Sequence, residues 1–373
     1  MAVDGVTGNV LVADAGSSSF HLAIVDVHDR VLTTRDFDEP PGADAGKMIE
    51  EFLTGAPPVD ACGHRMVHGG PDVPRPTVVD TVVRTRLQAA ASLAPLHMPP
   101  ALAALDAARR LLPRLPHVAC PDTAFHHQLP DPARTYALPR ELTRRHGLRR
   151  YGFHGLSYAY ALRRTAELLD RAPEDLQLLI THLGGGCSAC AVRAGRSVDT
   201  TMGMTPSEGL PMSTRSGTVD PGMLLWLQTE TGMDPDRLAH VLTRESGLLG
   251  ISGTSDDTRD LVRARATGDA AAALALDTFT LGVRRGVAAT AASLDHVDGL
   301  VFTGEIGEDQ PEVREAVAAG LSVLGIAGGL TTPEPRQPAM VSRPGAAVPV
   351  LVVPTGEVPQ IALETRVCLR TRH

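Results

Sequence analysis

The sequence predicts an α/β protein made of two similarly built domains. Three observations carry this. The chain has 373 residues, more than a single hydrophobic core usually serves. Apolar, strand-like runs alternate with stretches of helical periodicity. A strand, a turn of small residues and a return strand also occur together twice, once in each half of the chain.

The first such unit, NVLVADAGSSSFHLAIVD, reads as strands over residues 9–13 and 19–26, joined by Gly16-Ser17-Ser18-Ser19. Such a turn gathers several N–H groups and hydroxyls in a small volume; it suits a phosphate as well as an ordinary hairpin. Helical periodicity follows over 44–54, 82–92 and 100–113, with strand-like VDACGHRMV and HVACPD between. The second unit spans 177–198 and turns at Gly184-Gly185-Gly186. Helices are expected over 222–245 and 268–293. DGLVFTGEIGED (298–309) then reads as a strand running into a tight turn, with a helix at 311–319. The end, VPVLVVPTGEVPQIALETRVCLR, reads as a buried strand and a terminal helix. The expected division is residues 1–125 plus 357–373 for one domain and 126–356 for the other.

Composition excludes several classes. Apolar residues make up 43% and charged residues 21%, as in ordinary globular chains, and the net charge is -8 with no block of like charges. No electrostatic footprint for nucleic acid or anionic lipid is expected. The opening MAVDGVTGNVLVADAG lacks a basic, then apolar, signal pattern, and no stretch approaches a membrane span, so a cytoplasmic protein is expected. Cys187 and Cys190 form a CxxC without a second pair, so buried small residues are the ordinary reading. Lys47 is the sole lysine and lies outside any GxxxxGK[ST] pattern. P-loop nucleotidases and protein kinases both place a lysine on the phosphates, so neither mechanism fits. Phosphate chemistry here would rest on arginine, backbone amides and a metal ion.

Ten segments run in a specific order: ADAGSSS, GHRMVHGG, APLHMP, DTAFH, LRRYGFHG, HLGGG, DTTMGMTPSEGLPMSTRSGTVDP, ESGLLGISG, FTGEIGE and PTGE. Together, from near residue 9 to near residue 366, they resemble the acetate/propionate kinase family. That resemblance implies the duplicated ribonuclease H-like fold shared with sugar kinases, actin and the heat-shock chaperone ATPases, with an active site in the interdomain cleft. It also implies homodimerisation. The implied reaction is reversible phosphoryl transfer between ATP and acetate or propionate, giving acyl phosphate and ADP with Mg²⁺.

The resemblance carries residue roles, and most have a physical rationale. Arg65 and Arg215 match the two arginines that grip phosphoryl and carboxylate oxygens, which a planar guanidinium can do bidentately. His154 matches the histidine that donates to the transferring group. Asp122 matches the aspartate that orients the arginine or a metal-bound water. Asp14 and Glu357 match magnesium-associated positions, and Mg²⁺ usually takes only one or two carboxylates. Most family members carry Asn where Asp14 stands. Val67, Leu96, Phe153 and Pro206 match the apolar acyl pocket, with His97 beside it. Ser18, His182, Gly184, Gly186, Asp257, Arg259, Gly304, Ile306 and Gly307 match nucleotide- and phosphate-binding positions.

The departures from the family pattern concentrate in loops expected to face the nucleotide. HLGNG has become HLGGG at Gly185, and GGIGEN has become GEIGED, with Glu305 and Asp309. PTNEE reads PTGEV, with Gly356 and Val358, and HGTSH reads HGLSY, with Leu156 and Tyr158. A glutamate in place of a glycine beside a ligand can narrow the space available. Glu305 therefore leaves three readings: a diverged ATP-dependent kinase, a different donor such as pyrophosphate, or a low-turnover nucleotide- or acyl-phosphate-binding homologue. Retention of Arg65, Arg215, His154, Asp122 and Glu357 argues against the last.

Overall fold

The computed structural model describes residues 8–16, 19–331 and 337–371. The chain forms two compact units, each drawn from separate stretches of sequence. The first comprises residues 1–127, 153–160 and 356–373; the second comprises 128–152 and 161–355.

In the first unit six strands form one mixed sheet: β1 (Val10–Ala15), β2 (Phe20–Val25), β3 (Val31–Phe37), β4 (Ala61–Met66), β5 (Thr77–Val78) and β6 (His117–Pro121). Their spatial order is β3-β2-β1-β4-β6-β5. Strands β1 to β3 are an antiparallel meander, β1, β4 and β6 run parallel, and β5 is antiparallel to β6. Strand β1 is apolar and buried along almost its whole length because both sheet faces are covered. The helix Glu357–Arg370 and the helix Met98–Leu111 both pack on β1 and β4. Gly63 lets the terminal helix approach: a Cβ there would lie 2.4 Å from Thr365 Oγ1 and 2.8 Å from Ile361. Val10, Val12, Val118, Leu156, Ile361 and Ala362 form part of the resulting core.

The second unit repeats this plan. Its strands are β7 (Gln177–Leu183), β8 (Cys187–Arg193), β9 (Arg196–Thr200), β10 (Gly299–Thr303), β11 (Ala339–Met340) and β12 (Val350–Val352). Their order is β9-β8-β7-β10-β12-β11, with the same pattern of parallel and antiparallel pairs. The repeated hairpin seen in the sequence is therefore the start of a repeated sheet. The 22-residue helix Ala270–Ala291 packs on β7 and β8, and Asp269 caps it by accepting from Ala271 N and Ala272 N.

Differences from the expected elements have local causes. The helical stretch 222–245 is broken into Pro221–Thr229 and Pro235–Arg244, because Gly232 adopts φ +68 and Asp234 starts a new helix as its cap. Strand β3, mostly exposed, and the helix Gly155–Leu169 went unanticipated. The alternation in VLTTRDF is carried by polar residues on an edge, which gives no apolar signal. Among the described residues no helix is long and apolar enough to cross a membrane. The thiols of Cys187 and Cys190 are free and buried, and burial pushes both up to about 12.

Candidate active site

In each unit several of the residues singled out by sequence lie at the carboxyl ends of parallel strands, where α/β sheets place their ligands. The first unit holds an arginine ringed by acids. Arg65 is the penultimate residue of β4, Asp14 lies near the end of β1, Asp122 directly follows β6, and Glu357 opens the terminal helix. Arg65 Nε donates to both Asp122 carboxylate oxygens at 3.2 Å, and Nη2 donates to Asp122 Oδ2 at 2.9 Å. Nη1 donates to Asp14 at 3.0 and 3.3 Å and lies 3.6 Å from Glu357 Oε2.

Three carboxylates thus face one guanidinium in a partly dry setting. Burial works against the Arg65 charge, but Asp122, Asp14 and Glu357 outweigh it and hold its pKa well above the usual arginine value. The acids are not fully compensated. Burial raises Asp122, with Arg65 opposing and Asp14 adding to the rise. Burial likewise pushes Glu357 up to about 7, against Arg65 and with help from Asp122 and Asp14.

His154 sits directly before the helix Gly155–Leu169 in a left-handed conformation, φ +59, which is uncommon for a non-glycine residue. Gly155 N donates to Asp122 O at 2.8 Å, and a Cβ on Gly155 would fall 2.2 Å from that oxygen. His154 is thereby tied through the backbone to the strand end that carries Asp122. Its ring lies 6.5 Å from that of Tyr158, inside a cluster with Phe125 and His126. Of the expected acyl-pocket residues, Val67 and Phe153 are buried, with the Phe153 ring edge-on to His68 at 5.4 Å. Leu96 is 45% exposed, and His97 precedes the helix Met98–Leu111. Gly16 N donates to Ser19 O at 2.9 Å, closing the first turn; Ser18 lies outside the described residues.

The second unit holds Arg215 and the loops after β7 and β10. Arg215 contrasts with Arg65. Its Nη1 donates to Pro206 O at 3.0 Å and touches Met212 Sδ at 4.0 Å, and among the described residues no carboxylate pairs with it. Burial, with Arg244 nearby, pulls it below the usual arginine value. His182 is the penultimate residue of β7, and Gly184 N donates to Gly186 O at 3.1 Å. Gly304 takes φ +81, and a Cβ there would meet Leu183 O at 2.6 Å, so the two loops abut backbone to backbone. Ile306 and Gly307 are buried in the short helix that follows. Asp257 caps the helix Thr258–Ala266 and receives Arg259 Nε at 3.0 Å and Nη2 at 2.6 Å.

Two residues of this unit carried no signal in isolation. The fully buried Arg314 donates to the carbonyls of Gly307 and Glu308 at 2.9 and 2.5 Å, holding the turn after β10. Glu308 accepts from Thr355 N at 2.7 Å and from its hydroxyl, tying that turn to the loop after β12.

The departures divide on inspection. Leu156 and Val358 belong to the first unit's core, and Tyr158 is fully buried beside His126. A Cβ on Gly356 would lie 2.3–2.5 Å from the Tyr160 ring. These four are accounted for by packing within the first unit. Gly185 is exposed with open space around its Cβ position, and Glu305 and Asp309 are exposed. Glu305 is close enough to Arg259 to favour the latter's charge.

Two repeated sheets with charged and small-residue loops at their parallel-strand ends define a duplicated α/β protein whose loops suit an anionic ligand. The sequence model of the acetokinase family matches residues 43–363. The chain belongs to the acetokinase family. It is 46% identical over 323 residues to the acetate kinase of Leifsonia xyli subsp. xyli, covering 86% of this chain and 80% of that one. The crystal structure of Porphyromonas gingivalis acetate kinase matches with TM-score 0.89 and 33% identity, covering 97% of this chain and 100% of that one. A propionate kinase from Francisella tularensis subsp. tularensis matches with TM-score 0.88 and 31% identity, over 96% and 99% of the two chains.

Proposed function

We propose that the protein catalyses reversible phosphoryl transfer between ATP and acetate or propionate, giving the acyl phosphate and ADP. The observation that carries this is the contrast between the two arginines. Arg65 is paired with acids, whereas among the described residues Arg215 has only neutral partners. An arginine without a carboxylate partner is the one free to receive anionic oxygens.

In the forward direction a carboxylate oxygen attacks the γ-phosphorus in line, and the bond to the ADP oxygen breaks. Arg215 would stabilise the charge on the equatorial oxygens, and His154 would donate to one of them. Asp122 would hold Arg65 in a single orientation through its two-pronged pairing. Val67, Phe153, Leu96 and Pro206 would receive the acyl chain. A methylene in such a pocket is worth only about 1–3 kcal/mol, so both short acids are expected substrates. His182, Gly184, Gly186, Gly304, Ile306 and Gly307 would serve the nucleotide, with Asp257, Arg259 and Ser18.

The acid cluster fits a magnesium ion. Its donors are hard oxygens, acids outnumber the guanidinium, and Glu357 makes no hydrogen bond among the described residues despite its burial. Among the described residues no three side chains form a ready-made metal cage. Asp14 and Glu357 would therefore hold Mg²⁺ with water and phosphate oxygens completing its shell. The ion would neutralise phosphate charge during transfer.

ATP is taken as the donor from membership of the acetokinase family, and the exposed Glu305 beside Arg259 is the feature that the donor test below addresses. The proposal extends to a cytoplasmic homodimer. Leu225 and Trp226, 64% and 56% exposed on a helix with no buried residue, supply an apolar surface for a second copy. Sedimentation that returned a monomer at micromolar concentration would remove that part.

Purified protein with acetate, ATP, Mg²⁺ and hydroxylamine is expected to yield acyl hydroxamate. Absence of product with acetate, propionate and butyrate would overturn the assignment. In the reverse direction ADP is the expected acceptor; product from inorganic phosphate and none from ADP would replace ATP as donor.

A further inference from the structure

We infer that Tyr136, Arg150 and Glu208 form a clamp that positions Arg215, an inference that rests on the catalytic role proposed for that arginine. The clamp grips the loop that follows β9. Glu208 takes the Tyr136 hydroxyl on Oε2 at 2.5 Å and Arg150 Nη2 on Oε1 at 2.7 Å. Arg150 Nη1 also donates to the carbonyls of Thr201 and Met202 at 2.9 and 3.0 Å. The Tyr136 oxygen accepts from Met204 N at 2.8 Å. Gly203 O takes Tyr151 N at 3.0 Å and Gly152 N at 3.3 Å.

The loop is therefore fixed at residues 201–204 and again at 208. Between those points stands Pro206, whose carbonyl receives Arg215 Nη1. The guanidinium is aimed by an oxygen that the clamp holds in place. Gly203 shows how tightly the clamp is packed: a Cβ there would lie 1.7 Å from Glu208 Oε2 and 2.2 Å from the Tyr136 oxygen. Burial and the adjoining carboxylate raise the Tyr136 pKa, so the hydroxyl remains the donor across the neutral range. None of the three side chains needs to touch substrate. They are positioning residues, and an ångström of drift in a reacting group can cost a hundredfold in rate.

Tyr136→Phe removes one hydroxyl that serves two bonds and little volume. It should lower kcat about tenfold while leaving the KM for ATP within about twofold, as expected when an interaction specific to the transition state is weakened. The decisive readout is the double variant. In an Arg215→Ala background the same substitution should cost less than about twofold, because the group being aimed is gone. Glu208→Gln is expected to behave likewise and carries the test if Tyr136→Phe fails to fold, with melting temperature reporting folding in each case. A tenfold loss that persists in the Arg215→Ala background, or a Tyr136→Phe enzyme within twofold of wild type, overturns the clamp alone. An Arg215→Ala enzyme within a few fold of wild type overturns the role of Arg215 and the clamp with it.

Discussion

Asp14 accepts two hydrogen bonds from Nη1 of Arg65, at 3.0 and 3.3 Å. This carboxylate adds negative charge to a cluster that already holds Asp122 and Glu357. Asp14→Asn should keep an acceptor for Arg65 and remove one charge facing the metal. Turnover at saturating Mg²⁺ is expected within about threefold of wild type, while half-saturation shifts to about tenfold more Mg²⁺, as for loss of one carboxylate near a cation. A magnesium titration of activity measures this. An unchanged half-saturation would remove Asp14 from the metal site.

The two arginines should fail in different ways. Arg65→Ala leaves Asp14 and Asp122, at the ends of two buried strands, and Glu357 on the terminal helix without their shared cation. Breaking a buried pair in this way costs about 3–5 kcal/mol, so the melting temperature should fall by many degrees along with activity. Among the described residues the Arg215 side chain has only a carbonyl and a thioether as partners, so Arg215→Ala should melt within a few degrees of wild type. Its kcat should nonetheless fall by about 10²–10³, the usual loss on deleting a transition-state charge donor. Equal destabilisation by the two substitutions would contradict the contrast between a compensated and an uncommitted arginine.

Stability should fall as pH rises from about 4.5 to about 7, and the terminal helix is the source. Both Glu357 and Glu364 are pushed up to about 7 from 4.5, chiefly by burial. Glu364 receives Gln360 Nε2 at 3.2 Å, but its Oε2 is buried without a hydrogen bond. A carboxyl whose folded pKa exceeds its unfolded one keeps its proton in the native state after the unfolded chain has released it. The unfolded chain then binds fewer protons over that interval, and stability declines with pH by up to about 3 kcal/mol per group. Chemical denaturation at pH 5 and pH 8 measures the slope. Glu364→Gln should remove about half of it with or without magnesium, whereas added Mg²⁺ should reduce only the Glu357 part. A flat profile would mean that neither carboxyl is held protonated.

Much of this arrangement is legible in the residues, for reasons that can be stated. The duplicated sheet is legible because β1 with β2 and β7 with β8 are buried hairpins, with continuous apolar runs around turns of small residues. Arg65, Asp122 and Glu357 stood out because they lie in short motifs at strand ends, yet nothing in the sequence says that the three share hydrogen bonds and charge. Strand β3 was invisible because its side chains are mostly exposed. Tyr136 was invisible because its partner lies 72 residues away in sequence and pairing of that kind leaves no periodic trace. Departures such as Leu156 and Tyr158 suggested an altered ligand loop, but both side chains are buried in the first unit and mark a repacked interior.

Gly356 illustrates the same lesson and can be tested. Its φ of -141 is open to any residue, so backbone freedom does not explain the glycine. Tyr160 does: its ring occupies the place where a Cβ would stand, at 2.3–2.5 Å. Gly356→Asn should therefore force the ring aside and cost about 1–3 kcal/mol, the ordinary penalty for overpacking. Tyr160→Ala opens a gap and should itself destabilise the fold. Combined, the two changes should cost less than the sum of the single changes, because the asparagine fills space that the ring has vacated. Denaturation midpoints of the four proteins in that cycle give the coupling. Simple additivity would show that the ring does not exclude a side chain at position 356.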